Sequence, residues 1–210
     1  MKHSFSILSS IILLNCSNAF AETITVSGNV SGTWSADTVL VVGDVRVPVD
    51  STLTIEPGVE VVFRGYYKLI VNGWLSAEGT ENDLILFTAA DTSHAWHGIR
   101  FIDAPDNSHL SYCVIQYGHA EGATDDKHGG GIYCLNSNPV ISWCTIQCNS
   151  TQDFPEGFGG GVYCDNSSPS ISDCIICKNS STKGGGLYFI DNSHATIIRC
   201  IIAENTIPYY

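Results

Sequence analysis

Positive charge is scarce in this chain. Nine Lys and Arg stand against 21 Asp and Glu, for a formal charge of −12. A surface of that sign repels nucleic acid and anionic membrane, and it offers no basic groove to an anionic polysaccharide. Long apolar runs are also lacking. The stretch near the start is too short to cross a bilayer, and no later segment reaches the ~18 apolar residues of a membrane-spanning helix. Apolar residues do not recur at helical spacing, which argues against an α-helical fold. EF-hand spacing, the Gly-Gly-x-Gly-x-Asp calcium pattern and the Gly-Lys-Ser/Thr of a phosphate loop are all missing.

What is present is a repeat. Gly129-Gly130-Gly131-Ile132-Tyr133-Cys134 returns 30 residues later as Gly159-Gly160-Gly161-Val162-Tyr163-Cys164. It returns after a further 25 residues as Gly184-Gly185-Gly186-Leu187-Tyr188-Phe189. A second landmark follows each glycine triplet: Cys144, Cys174 and Cys200, with Cys113 in an earlier unit that lacks the glycines. Five residues beyond the last three of these cysteines stand Asn149, Asn179 and Asn205. A period of this length marks a solenoid, with one supersecondary unit per repeat.

The unit reads as short strands separated by polar turns: Gly-Ile-Tyr-Cys, then Asn-Ser-Asn-Pro, then Val-Ile-Ser-Trp-Cys-Thr-Ile. Asn and Ser favour turns through bonds from side chain to backbone, and Pro139 and Pro169 punctuate the same place. Equivalent residues of successive rungs then stack about 4.8 Å apart. Ile, Val and Cys form inward ladders, and Asn at a turn can form a hydrogen-bonded one.

The chain resembles the right-handed parallel β-helix repeat superfamily. More narrowly, it resembles secreted bacterial proteins with Gly-Gly-Gly-Ile-Tyr-Cys rungs. Leu53-Thr54-Ile55-Glu56-Pro57-Gly58, Leu75-Ser76-Ala77-Glu78-Gly79-Thr80 and Trp96-His97-Gly98-Ile99-Arg100-Phe101 fit the same group. The resemblance covers roughly residues 38 to 205 and implies an all-β, right-handed parallel β-helix solenoid. It does not imply an activity, because these motifs encode rung geometry and one fold hosts many functions.

Residues 1–21 read as a signal peptide: Lys2 and His3, an apolar stretch from Phe5 to Leu14, and cleavage after Ala19-Phe20-Ala21. A lipoprotein anchored at Cys16 is the alternative, disfavoured by Asn15. Cleavage removes Lys2 and no acid, so −12 becomes −13. The expected location is extracellular or on the outer cell surface. Eight cysteines then remain of nine. Export permits disulfides, but in-register stacking keeps Cβ atoms further apart than the ~3.8 Å a disulfide prefers, so buried stacked thiols are expected. Cys174-x-x-Cys177 is a single pair whose side chains face opposite ways, a poor zinc site.

Residues 22–45 are read as N-terminal strands and cap, 46–110 as irregular rungs, 111–205 as regular rungs, and 206–210 as a tail or truncation point. No capping unit follows Asn205. The chain is therefore read as part of a longer protein, with self-association through the uncapped last rung as the other outcome. Related secreted proteins continue with more rungs and a sorting or anchoring module.

Three variable loops leave the same corner: Gly118 to His128, Asn149 to Phe158, and Asn179 to Lys183. Stacked loops on one edge are where solenoids bind. Tyr117, His119, His128, Phe154 and Phe158 are the candidate ligand-binding residues. Asp125, Asp126, Asp153 and Glu156 are the candidate ligands for Ca²⁺; no other cofactor is expected. The resemblance also extends to β-helix pectin hydrolases, which carry carboxylate pairs like Asp125-Asp126. Their Asn-Thr-Asp, Gly-His-Gly and Arg-Ile-Lys motifs are absent here. His94, His97, His109, His119 and His128 could act as bases, but are expected to be surface or turn residues. Trp96 and Phe101 are read as packing residues.

The expected function is a noncatalytic scaffold that binds or displays a polysaccharide or protein at the cell surface. A polysaccharide lyase or glycoside hydrolase is the alternative, and a structural spacer the third reading.

Overall fold

The computed structural model describes residues 21–152 and 156–208. The stretch read as a signal peptide, up to Phe20 and including Cys16, falls outside these residues, as do Asp153 and Phe154.

Strands of three to five residues dominate, and every pairing between named strands is parallel. Each coil of the chain lays down one strand on each of three faces. The first face stacks Leu69–Val71, Ile99–Ile102, Ile132–Leu135, Val162–Asp165 and Leu187–Ile190. The second runs from Gly32–Trp34 through Thr52–Ile55, Trp74–Glu78, His109–Ser111, Val140–Ser142 and Ser170–Ser172 to Thr196–Ile198. The third stacks Glu60–Phe63, Ile85–Ala89, Cys113–Gln116, Thr145–Gln147, Ile175–Cys177 and Ile201–Ala203. The long strand Thr38–Val47 joins the first and third faces, pairing Glu60–Phe63 with one half and Leu69–Val71 with the other. Thr23–Asn29 lies against the same long strand. The molecule is an all-β, parallel, solenoid-like fold.

The core follows from period-two alternation. In Ile85–Ala89, alternate side chains are buried. Repeated coil by coil, this gives continuous apolar columns. One runs Ile55, Ala77, Leu110, Ile141, Ile171, and another Val61, Phe87, Ile115, Ile146, Ile176. All ten residues are buried, and burying each aliphatic side chain contributes roughly 1.5–3 kcal/mol before chain entropy is counted. The columns end exposed: Ile197, Ile198, Ile201 and Ile202 of the last described coil face solvent.

The cysteines occupy such columns. Cys134 is the register partner of Cys164, between Phe101 and Phe189. Cys113, Cys144 and Cys174 are buried one above another, with Cys200 half-buried beyond them. Each Sγ donates to the carbonyl two residues earlier, as Cys174 does to Ser172 at 3.1 Å. All eight described cysteines are free thiols.

Two polar ladders hold the corners. Asn149 Nδ2 donates to Ile115 O and to Asn179 Oδ1, both at 3.0 Å. Asn179 repeats the pattern with Ile146 O at 2.9 Å and Asn205 Oδ1 at 3.0 Å. At another corner, Ser137 N donates to Ser167 Oγ and Ser167 N to Ser193 Oγ. Satisfying buried backbone groups this way lets a tight turn go inside the fold.

The glycine triplet has two distinct causes. Gly159 has φ +67°, where an L side chain is strained. Gly130 has no room for a side chain, since a Cβ there would sit 2.1 Å from Ser150 O of the adjoining turn. The triplet marks a close passage of backbones as well as a turn.

Each regular coil also places one non-glycine residue at left-handed φ at each of three corners. One column is Asp103, Asn136, Asn166 and Asp191; the others are Tyr112, Trp143, Asp173, Arg199 and Tyr117, Cys148, Lys178, Glu204. The first uses Asn and Asp, which tolerate this region, whereas in the other two only Asp173 is of such a type.

Candidate ligand-binding cleft

Beyond the Asn-ladder corner the chain continues as a third, minimal parallel sheet. His119–Ala120 pairs with Ser150–Thr151, and single bridges extend it to Ser180 and Thr206. Gly118 N donates to Asn149 Oδ1 at 2.8 Å, which fixes the direction in which His119 leaves the core.

The segment 121–128 then folds back over the outside of the first face. Four residues from earlier coils strap it down. Tyr66 Oη accepts from Glu121 N at 2.7 Å and donates to Glu121 O at 3.1 Å. Lys68 Nζ meets Asp126 at 2.8 Å. His97 Nε2 donates to Glu121 O at 3.2 Å. Arg100 donates to the carbonyls of His128, Gly129 and Asp125. Arg100 is only 2% exposed, and burial lowers its pKa to about 10.

A cleft of about 600 Å³ opens beside this strap. Arg64, Tyr66, Ser93, His94, His119, Glu121 and Ser150 line it. His119 Nδ1 lies 2.8 Å from Ser150 Oγ, and its Nε2 is 3.7 Å from the Glu121 carboxylate. The Arg64 amide donates to Val41 O, and its guanidinium makes no hydrogen bond or ion pair with any described residue. Burial raises the pKa of Tyr66, and its hydroxyl is committed to Glu121, so it is no base. Asp91, Ser93 and His94 stand at the rim. The Ser93 hydroxyl and amide, with His94, draw the Asp91 carboxyl down to about 2. Both Ser93 Oγ, at 2.9 Å, and Asp91, at 3.1 Å, approach the same imidazole nitrogen, Nδ1. A nucleophilic triad needs the hydroxyl and carboxylate on opposite nitrogens, so this is a local turn network.

The candidates read from the sequence scatter around this geometry. His119 lines the cleft. Tyr117 packs its ring against the core edge at φ +58°. His128 and Phe158 come together elsewhere, stacked at 4.8 Å over the tyrosine column of the first face. There Tyr133, Tyr163 and Tyr188 stack at 5.3 and 5.8 Å. Phe158 N donates to His128 Nδ1 at 3.0 Å, which requires a neutral ring with that nitrogen bare. Burial accordingly lowers the His128 pKa to about 4. The expectation that the histidines are surface or turn residues is corrected for His97 and His128: His97 is buried under the strap and His128, at the strap's end, between Phe158 and Tyr163, where the unprotonated ring avoids desolvating a charge.

The described calcium candidates, Asp125, Asp126 and Glu156, do not gather into one group. Asp126 is paired with Lys68, and Glu156 with Lys183 at 3.0 Å. Asp125 offers its carbonyl to Arg100. Among the described residues no three His, Cys, Asp or Glu side chains gather as a metal site. Arg64 and Tyr66 were not singled out as site residues, and His94 was named only among the histidines that could act as bases. They stand in irregular coils, more than 20 residues before His119, and no repeat position marks them.

Compared with protein-family models, with curated proteins and with solved structures, the chain matches none.

Proposed function

We propose that the chain is a right-handed parallel β-helix of an exported protein, acting at the cell surface or outside the cell, and that its cleft holds a ligand without transforming it. Handedness is supported by the strong preference of parallel crossover connections for the right-handed sense. Export is supported by the leader pattern ending at Ala21. No helix of the described residues is long and apolar enough to cross a membrane.

The observation that carries the functional reading is the cleft lining. It mixes imidazole, phenol, guanidinium and hydroxyl groups around a space of about 600 Å³, with a single carboxylate, Glu121. Convergent polar groups beside aromatic surface suit a hydroxyl-rich ligand, and a glycan fits best. Hydrolysis of a glycosidic bond needs two carboxylates flanking the bond, and the lining supplies one.

The test is a glycan array probed with the chain from residue 22 onward, alongside His119→Ala and Arg64→Ala. We expect a glycan signal that falls at least tenfold in both variants. Absence of any glycan signal, or a signal untouched by both substitutions, overturns the reading.

One observation favours an enzyme as the second reading. Arg64, whose guanidinium has no partner among the described residues, shares the cleft with His94 and His119. A guanidinium could neutralise a uronate while an imidazole removes its proton. Incubation with polyuronates would then generate the ultraviolet absorbance of an unsaturated product. A protein that neither binds nor cleaves glycans is a spacer.

A further inference from the structure

The residue before each ladder cysteine stands at left-handed φ on the corner between the second and third faces. The column reads Tyr112, Trp143, Asp173, Arg199. This is the opposite edge of the third face from the cleft. Tyr112 and Trp143 stack nearly parallel, 5.8 Å between centroids and 5° between planes. On the other side of the indole comes Asp173, too short to cover a ring. One coil further, Arg199 folds back so that Nε and Nη2 each donate to a carboxylate oxygen of Asp173 at 2.6 Å. Thr145, Ile175 and Ile201, register partners on the third face, run alongside. Trp143, Asp173, Arg199, Thr145, Ile175 and Ile201 line a notch of about 340 Å³. Trp143 is 53% exposed and Ile201 60%.

We propose that this notch binds a neutral sugar ring, as a second glycan site independent of the cleft. The open indole face and the two isoleucines offer apolar surface to the C–H face of a pyranose. The Asp173–Arg199 pair offers acceptors and donors to its hydroxyls, with Nη1 of Arg199 unpartnered among the described residues. Because the two charges neutralise each other, the ligand gains nothing from carrying charge. A peptide is disfavoured by the backbone. Thr145–Gln147 and Ile175–Cys177 are each paired on both sides, so a strand-adding peptide could pair only beyond Ile201–Ala203, the last described strand, and not over the Trp143 face. Successive coils advance by ~4.8 Å, close to the rise per residue of an extended glycan, so neighbouring sugars would meet the Thr145, Ile175, Ile201 row in turn.

Trp143 is its own reporter. Trp34 and Trp96 are buried and Trp74 is half-buried, so ligand contact at the surface falls on Trp143. The chain from residue 22 onward is titrated with a panel of neutral hexasaccharides of glucose, xylose, mannose and galactose, read by tryptophan emission and by calorimetry. At least one is expected to change the emission saturably. In a His119→Ala background, where the cleft is silenced, Trp143→Ala should abolish its calorimetric binding, Arg199→Met should weaken it at least tenfold, and Trp143→Phe should retain part of it. His119→Ala should leave this binding intact, whatever it does to the cleft. The proposal is overturned if no hexasaccharide changes the emission, if Trp143→Ala still binds in the His119→Ala background, or if His119→Ala alone removes the response.

Discussion

The guanidinium carbon of Arg100 lies 3.9 Å from the centre of the Tyr133 ring, one coil further on in the same column. Its donors are spent on three carbonyls of the strap 121–128 rather than on a carboxylate. A buried cation is expensive unless hydrogen-bonded, and here the strap's own backbone supplies the acceptors. Arg100→Ala should therefore lose about 3 kcal/mol, since it empties the space and orphans those carbonyls. Arg100→Met, which keeps most of the bulk, should lose less. Urea denaturation measures both. Trypsin cleavage after Lys127 should speed up in the native state of either variant, because the strap is no longer held.

The Asn ladder should be steeply position-dependent. Asn179 Oδ1 accepts from both the amide and the side chain of Asn149, and its Nδ2 donates to Ile146 O and to Asn205. Asn179→Ala strands groups on both neighbouring coils and should cost roughly 3–5 kcal/mol. Asn205→Ala, at the exposed end with one coil to serve, should cost about 1 kcal/mol. Equal losses in chemical denaturation would contradict the ladder.

Acid should loosen the strap. His97 and His128 titrate at about 4 in the fold, against 6.5 when exposed, chiefly because burial disfavours the imidazolium. The unfolded chain binds more protons between these values. Stability from the neutral rings is therefore complete above pH 6.5 and falls as the pH drops towards 4. For buried His97 the loss is on the order of 3 kcal/mol at one RT ln 10 per pH unit. Urea midpoints should fall between about pH 7.5 and about pH 4.5, and His97→Phe should flatten that dependence. An unchanged slope in the variant would refute the assignment.

Thiol labelling should split the cysteines. Cys148, Cys177 and Cys200 are half-buried, while Cys113, Cys134, Cys144, Cys164 and Cys174 are buried. Burial raises the pKa of Cys144, and in Cys164 and Cys174 a bond to a neighbouring thiol raises it further, which suppresses the reactive thiolate. A maleimide should modify three sites on the native protein and the other five only with unfolding. Rapid native labelling of Cys134 or Cys164 would show that the column is not closed.

The coil itself was legible. Gly129, Gly159 and Gly184, the cysteines behind them and the trailing Asn149, Asn179 and Asn205 repeat at a period only a solenoid explains, and alternation announced the inward columns. The candidate site was legible in fragments. His119 stood out because its loop interrupts the repeat. His128 and Phe158 stood out for the same reason, yet they are packed on the tyrosine column and not in the cleft. Sequence pattern marks a departure from the coil but not the direction in which the departing segment folds. Trp143 and Arg199 share a register position, but Tyr, Trp, Asp and Arg share no side-chain chemistry that would reveal the column.

By itself, then, the sequence determined the repeating unit: which residues face inward, where the turns lie and which side chains stack, because alternation and period are local properties copied from coil to coil. Tertiary structure decided everything that depends on where one irregular segment lies against another. The cleft joins Arg64 and Tyr66 to His94 and His119, and the strap lays Asp126 on Lys68, 58 residues apart. Those contacts arise because Arg100 and His97 need hydrogen-bond partners once the strap covers them, a requirement that exists only after the coils have stacked.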